Sequence, residues 1–151
     1  MPRDNLIVRC SNCRAKNRIP QSRSGDRAVC GKCRTPLPYP TGFPEHPVNA
    51  SDSTFEHEAL GFSGPVAALF WAPWCGHCQR LLPLFDELAS DFAGYIKFVK
   101  IELDKNPAMA SKYQVQSVPT MLFLKNGGIV NRLLGALPKH ELEHHLRSLL
   151  R

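Results

Sequence analysis

The six cysteines of the 151-residue chain fall into three C-x2-C pairs, and their surroundings decide what each pair can do. Cys75-Gly76-His77-Cys78 follows an apolar run, Val66-Ala67-Ala68-Leu69-Phe70-Trp71-Ala72, and precedes a helical pattern, Leu81-Leu82-Pro83-Leu84-Phe85. This order predicts a buried strand that stops where a helix begins, with Cys75 at the helix mouth. Free N–H groups and the positive end of the helix macrodipole favour a thiolate there. Cys75 is therefore the candidate nucleophile: it attacks a substrate disulfide and forms a mixed disulfide, which Cys78, one helical turn in, resolves. Two thiols held at this spacing also close an intramolecular disulfide readily, so a redox-active Cys75–Cys78 disulfide is expected. A structural disulfide or half of a metal site is the competing reading, but no further cysteine after residue 33 completes such a site. The chemistry that best fits these residues is thiol–disulfide exchange.

Cys10-Ser11-Asn12-Cys13 and Cys30-Gly31-Lys32-Cys33 are separated by sixteen residues. Two such knuckles supply four thiolates, enough to close a tetrahedral zinc site with no open position. Two disulfides, four free thiols or iron are the alternatives. Leu6, Ile7, Val8, Ile19, Val29 and Leu37 are too few to fold this segment unaided, so metal binding has to supply the folding energy. One structural Zn2+ per chain, held by Cys10, Cys13, Cys30 and Cys33, is expected.

The charge is unevenly placed. Residues 1–40 hold nine Lys/Arg and two Asp/Glu, whereas residues 41–151 hold ten and eleven. A shift this sharp supports a boundary near residue 40. The basic residues Arg3, Arg9, Arg14, Lys16, Arg18, Arg23, Arg27, Lys32 and Arg34 are expected to offset the formal charge of a Zn(Cys)4 centre and aid solubility; contact with nucleic acid or an acidic protein face is the alternative. Tyr39 is the only aromatic residue here, so a stacking surface for single strands is lacking and nucleic acid is not an expected partner. No apolar run reaches the roughly 20 residues of a membrane span. Met1–Arg9 has no apolar h-region, so a secretory leader is not expected. The expected division is a zinc-binding module over 1–38, a stiff Pro-rich linker over 39–46 that holds the modules apart, and a second domain over 47–151.

The elements that must position Cys75 and Cys78 follow in order. Ser51-Asp52-Ser53-Thr54-Phe55-Glu56 reads as a helix start, with Ser or Asp available as N-cap. Residues 65–71 read as a central strand covered on both faces, and 76–93 as a helix interrupted by Pro83. Residues 95–103 alternate like a strand, and 106–113 read as a short helix. Strands over 120–125 and 129–134 turn at Asn126-Gly127-Gly128. Pro138 opens a last helix with Leu142, Leu146 and Leu149 inward.

Phe70-Trp71-Ala72-Pro73-Trp74-Cys75-Gly76-His77-Cys78 resembles the active-site segment of the thioredoxin family. Pro83, Lys100, Asp104, Val118-Pro119-Thr120, Lys125-Asn126-Gly127 and Gly135-Ala136 extend the match. The four-cysteine module, with Cys13-Arg14-Ala15-Lys16-Asn17-Arg18-Ile19-Pro20, is similar to that of the bacterial thioredoxin-2 type. The resemblance implies an α/β thioredoxin fold, a central mixed sheet flanked by helices, preceded by a small zinc ribbon. It implies a cis bond before Pro119, and a monomeric, cytoplasmic protein-disulfide reductase recharged by NADPH-dependent thioredoxin reductase. Substrate contacts are expected at Trp74, Val118, Pro119 and Gly135, beside the catalytic Cys75, Gly76, His77 and Cys78.

Two departures stand out. His77 takes the place of the family's usual proline, giving Cys-Gly-His-Cys as in protein disulfide isomerase. As an imidazolium it would stabilise the Cys75 thiolate and make the protein more oxidising. Leu69 stands six residues before Cys75, where the family carries a buried Asp, so the usual proton acceptor for Cys78 is missing. Lys100 is either a partly buried charge near Cys78 or a solvated one. A second reading makes the zinc ribbon primary, as a partner-binding or zinc-releasing redox sensor with isomerase- or oxidase-like activity.

Overall fold

A computed structural model describes residues 5–20, 28–37, 43–62 and 64–151. Arg3, Arg23, Arg27, Tyr39 and the expected boundary between residues 38 and 39 lie outside these. Two sheets are present among the described residues. The smaller runs in the order β2 (Lys16–Pro20), β1 (Asn5–Arg9), β3 (Phe43–Pro44), all antiparallel. The larger runs β4 (Val48–Ala50), β6 (Lys97–Glu102), β5 (Pro65–Trp71), β7 (Thr120–Lys125), β8 (Gly128–Leu134). Its first three strands are parallel, and β7 and β8 are antiparallel to their neighbours.

Side-chain alternation along the central strands builds two cores. Ala67 and Leu69 of β5, Phe98 of β6, and Met121 and Phe123 of β7 face α1 (Gly76–Asp91) and α3 (Lys139–Leu149), meeting Leu81, Phe85, Leu88, Leu142, Leu146 and Leu149. Val66, Ala68, Phe70, Val99, Ile101, Leu122 and Leu124 face the other way. There they meet Phe55, Ala59 and the half-buried Met109 and Tyr113 on and after α2 (Pro107–Lys112). A strand buried on both faces must be apolar nearly throughout, which is why residues 65–71 show no polar alternation. The β7–β8 hairpin turns through Asn126 and Gly127, both at positive φ, a twist that matches the flanking strands.

One expected helix start is not local. Residues 56–60 form only a π-helical turn, and Asp52 does not cap it. Instead the Asp52 carboxylate accepts from the backbone N–H groups of Ala108, at 3.2 Å, and Met109, at 2.9 Å. It thus caps α2, which has no side-chain cap of its own.

The Pro-rich stretch also departs from the expected spacer. Phe43–Pro44 pairs with β1, and Phe43 packs edge-on against Phe62 with ring centroids 5.0 Å apart. Arg9 and Lys16 of the N-terminal module bond to backbone carbonyls of Ala93 and Ser90. Backbone pairing and carbonyl acceptors overrode the stiffness that the prolines suggest. Where residues 43–46 are concerned, the modules are held together.

Phe85, fully buried and edge-to-face with Phe98 at 5.0 Å, ties α1 to β6. Phe85→Ala is expected to cost about 3–5 kcal/mol, seen as a lower urea midpoint.

Candidate active site and metal centre

β5 ends at Trp71, and within four residues the chain has turned into α1 with Cys75 as its N-cap, at φ −88° and ψ 115°. The first turn of a helix leaves N–H groups without helical partners. Here the Cys75 sulfur accepts the Cys78 N–H at 3.3 Å. No acidic residue lies in that first turn, so no carboxylate competes with the sulfur for the positive helix end. Cys75 is nearly covered and Cys78 fully so; both are free thiols. Burial, and then the interaction with Cys75, push the Cys78 thiol up to about 12. The two cysteines therefore differ in availability: Cys75 keeps a slight exposure as the cap of the helix, and Cys78 is a fully covered thiol held protonated beneath it.

The Val118–Pro119 bond is cis, as the resemblance implies. The Val118 carbonyl lies 3.6 Å from Cys75 Sγ, so the thiol points at that oxygen. Pro119 O accepts from Gly135 N–H at 2.9 Å, which brings Gly135 to the same loop. Gly135 has φ +86°, and a Cβ there would meet nothing within 4 Å; its glycine answers to backbone conformation and leaves open space above. Trp74 is 68% exposed and its indole N–H donates to the Asp104 carboxylate. Gly76 is exposed, with open space where a side chain would stand. The contacts to the Cys75 sulfur itself come from Cys78 N–H and the Val118 carbonyl, and the Pro119–Gly135 backbone bond continues from that loop. Trp71 is half-buried between this site and the core under α1.

His77 lies exposed beside Cys78, and its Nδ1 is 2.9 Å from a guanidinium nitrogen of Arg80. A guanidinium only donates, so Nδ1 accepts and the ring proton sits on Nε2. Arg80 did not figure in the sequence reading, although its position three residues after His77 on a helix was the available signal.

Leu69 is fully buried on the face of β5 that meets α1, opposite Lys100 of β6 and Met121 of β7. No carboxylate stands at that position. Lys100 is half-buried and two residues from Phe98, so it shares the α1 side of the sheet. Lys97, not singled out by the sequence, is the buried lysine; it bonds to Glu58 at 3.1 Å and lies over the Phe62 ring.

The other four cysteines form one cluster. Their Sγ atoms all lie within 4.8 Å of one another, with Cys10–Cys33 at 3.5 Å and Cys13–Cys30 at 3.6 Å. A tetrahedron with Zn–S bonds near 2.3 Å separates its sulfurs by about 3.8 Å, so the spacing fits. Backbone N–H groups of Asn12 and Lys32 each donate to a sulfur at 3.4 Å. The Thr35 hydroxyl, then the Asn12 amide, hold the Cys33 thiol down at about 5, whereas Cys13 in the same cluster is pushed up to about 11. The two knuckles repeat one turn: Arg14 N–H returns to Cys10 O and Arg34 N–H to Cys30 O, both arginines at positive φ. Only Ile7, Val8, Cys10 and Cys30 are buried among this module's described residues.

A family model described as Thioredoxin matches residues 46–148, and a second, described as Thioredoxin 2, N-terminal, matches residues 9–35. Thioredoxin 1 of Nostoc sp. is 44% identical over 98 residues, covering 65% of this chain and 92% of that one. Thioredoxins of Haemophilus influenzae and Pseudomonas aeruginosa are 41% and 40% identical, over 67% and 65% of this chain and 94% and 91% of theirs.

The contrast between the two thiols has a direct readout. Iodoacetamide on the reduced chain at pH 7 is expected to label Cys75 and spare Cys78, with Cys78 labelling rising only toward pH 12. Peptide mass mapping distinguishes them, and equal labelling at pH 7 would contradict the burial argument.

Proposed function

The chain belongs to the thioredoxin family, whose members are thiol–disulfide oxidoreductases, and from that premise we propose how this one works. The observation that carries the reading is the Cys75 sulfur at the helix mouth, capping Cys78 N–H beside the Val118 carbonyl. The Cys75 thiolate attacks one sulfur of a protein disulfide and expels the other as a thiolate. The Cys78 thiol loses its proton and attacks Cys75 Sγ, releasing the second substrate thiolate. Two electrons have then passed to the substrate, and the protein holds a Cys75–Cys78 disulfide. The open space above Gly135 and the Val118 backbone receive an extended substrate segment, with Trp74 at its rim. A thioredoxin reductase drawing on NADPH restores the dithiol, in the cytoplasm. Among the described residues no helix is long and apolar enough to cross a membrane. Zinc is held structurally by Cys10, Cys13, Cys30 and Cys33, whose sulfurs have the spacing it needs. Bound there, it closes the ribbon and leaves no open coordination position.

The chain is a weaker reductant than its family norm. Leu69 supplies no base to take the Cys78 proton, which leaves to water or to another group such as Lys100, paired beside Leu69, or Glu102. His77, two residues along the chain from Cys75, favours the dithiol form when it is cationic, and its bond to Arg80 limits how far.

Insulin-disulfide reduction tests the assignment. Cys75→Ser is expected to fall to the uncatalysed rate, and Cys78→Ser to stall as a mixed disulfide visible by mass. In the same assay Leu69→Asp is expected to raise the rate several-fold near pH 7 while lowering stability, since a buried carboxylate is costly. An unchanged rate would mean another group already takes the proton.

Equilibration with glutathione is expected to give a potential between about −270 and about −180 mV, the values of thioredoxin and protein disulfide isomerase. His77→Pro should lower it. A wild-type value at or below about −270 mV removes the role given to His77.

A further inference from the structure

The end of α1 farthest from the cysteines is unusual in what satisfies it. The last carbonyls of a helix lack helical partners and prefer nearby cations. The last turn of α1 contains no basic residue, and its final residue, Asp91, has the unfavourable sign. The cations come from elsewhere. Lys16 Nζ donates to Ser90 O at 3.0 Å. Arg9 Nε donates to Ala93 O, in the turn leaving the helix, at 3.0 Å. Both residues belong to the four-cysteine module, at the end of β1 and the start of β2, where they pair with each other in register.

The fit extends beyond the two bonds. The Arg9 guanidinium lies 4.6 Å from the centre of the Tyr95 ring. A Cβ on Gly94 would fall 2.5 Å from Arg9 Cγ, so the arginine stem occupies space that only glycine leaves. Glu45 stands 3.9 Å from Lys16 and 2.9 Å from Arg18, holding the cationic strand in place. Lys139 of α3 pairs with Glu87 and Asp91 on the outer side of the same helix end.

We propose that Arg9 and Lys16 are positioning residues of the redox site, and that the four-cysteine module is the C-terminal cap of the redox helix. The proposal rests on the reading of Cys75 and Cys78 as the redox pair. Sixteen residues of α-helix span about 24 Å, so this contact lies far from Cys75. The module therefore acts on the site through the helix and not by touching the substrate. Exchange between its cysteines and Cys75 within one molecule is out of reach. Arg9 directly precedes Cys10, so ordering of the metal knuckle and capping of α1 are mechanically one event.

Amide hydrogen exchange on the zinc-loaded full chain tests this. The bonds closing the end of α1 are those of the Phe92, Ala93, Tyr95 and Ile96 amides. Arg9→Met with Lys16→Met is expected to speed their exchange roughly tenfold with zinc content unchanged, each lost cap contributing as a charged helix-end contact does. Arg9→Lys with Lys16→Arg is expected to retain much of the protection. Removing zinc from the wild type with a chelator should expose the same amides while those of β7 stay protected. Equal protection in wild type and the double Met variant, with zinc bound in both, overturns the proposal. If that variant loses zinc, the wild type decides alone: unchanged exchange at these amides after zinc removal overturns it. Insulin reduction by the same wild-type preparation reports on the redox reading separately.

Discussion

A helix that begins directly after a buried strand needs acceptors for its first N–H groups, and in α1 one acceptor is the sulfur of Cys75. Much of the molecule serves that contact. β5 is buried on both faces, so its end is fixed in space and the turn into α1 has little freedom. Leu81, Phe85 and Leu88 clamp the helix to the sheet, which keeps the first turn aligned with β5. The loop with Val118 and Pro119, carried by β7 next to β5, then closes over the sulfur. A reactive thiol needs a partner for its anion and a cover against indiscriminate attack, and one backbone arrangement supplies both.

The two departures from the family pattern act on different parts of this arrangement. Leu69 changes the interior: it sets apolar volume, in one core cluster with Leu81, Phe85 and Met121, at the position where the resemblance implies a buried carboxylate. His77 changes the surface, where solvent weakens electrostatics and Arg80 takes up one ring nitrogen. The interior change is hard for neighbours to offset. The surface change is adjustable, since a single side chain sets which nitrogen carries the proton.

Much of this was legible before any coordinates. The unbroken apolar run of 65–71 specifies a two-faced strand, Asn126-Gly127 specifies the β7–β8 hairpin, and Leu142, Leu146 and Leu149 mark the buried stripe of α3. The paired cysteines announce both sites, because thiol spacing is itself the chemistry. Three of the hidden contacts share one trait: a side chain serving backbone far away in sequence. Arg9 and Lys16 bond to carbonyls of residues 93 and 90, which any residue type presents, so nothing at those positions signals the contact. Asp52 has the right type and place for a local N-cap and serves another helix instead. The prolines of 36–47 suggest an extended segment, but extension does not reveal which strand Phe43–Pro44 will join.

That displaced cap bears on the order in which the chain assembles. α2 has six residues, too short to persist in water by itself. Its cap comes from 56 and 57 residues upstream, across the closure that sets β4 beside β6. Closing so long a loop costs entropy that local contacts in 107–112 do not repay. α2 is thus an element of late assembly, its helical form following the parallel pairing of the edge strand. The tie also runs in reverse: loosening β4 withdraws the carboxylate from α2, so the edge of the sheet and the short helix open as a unit.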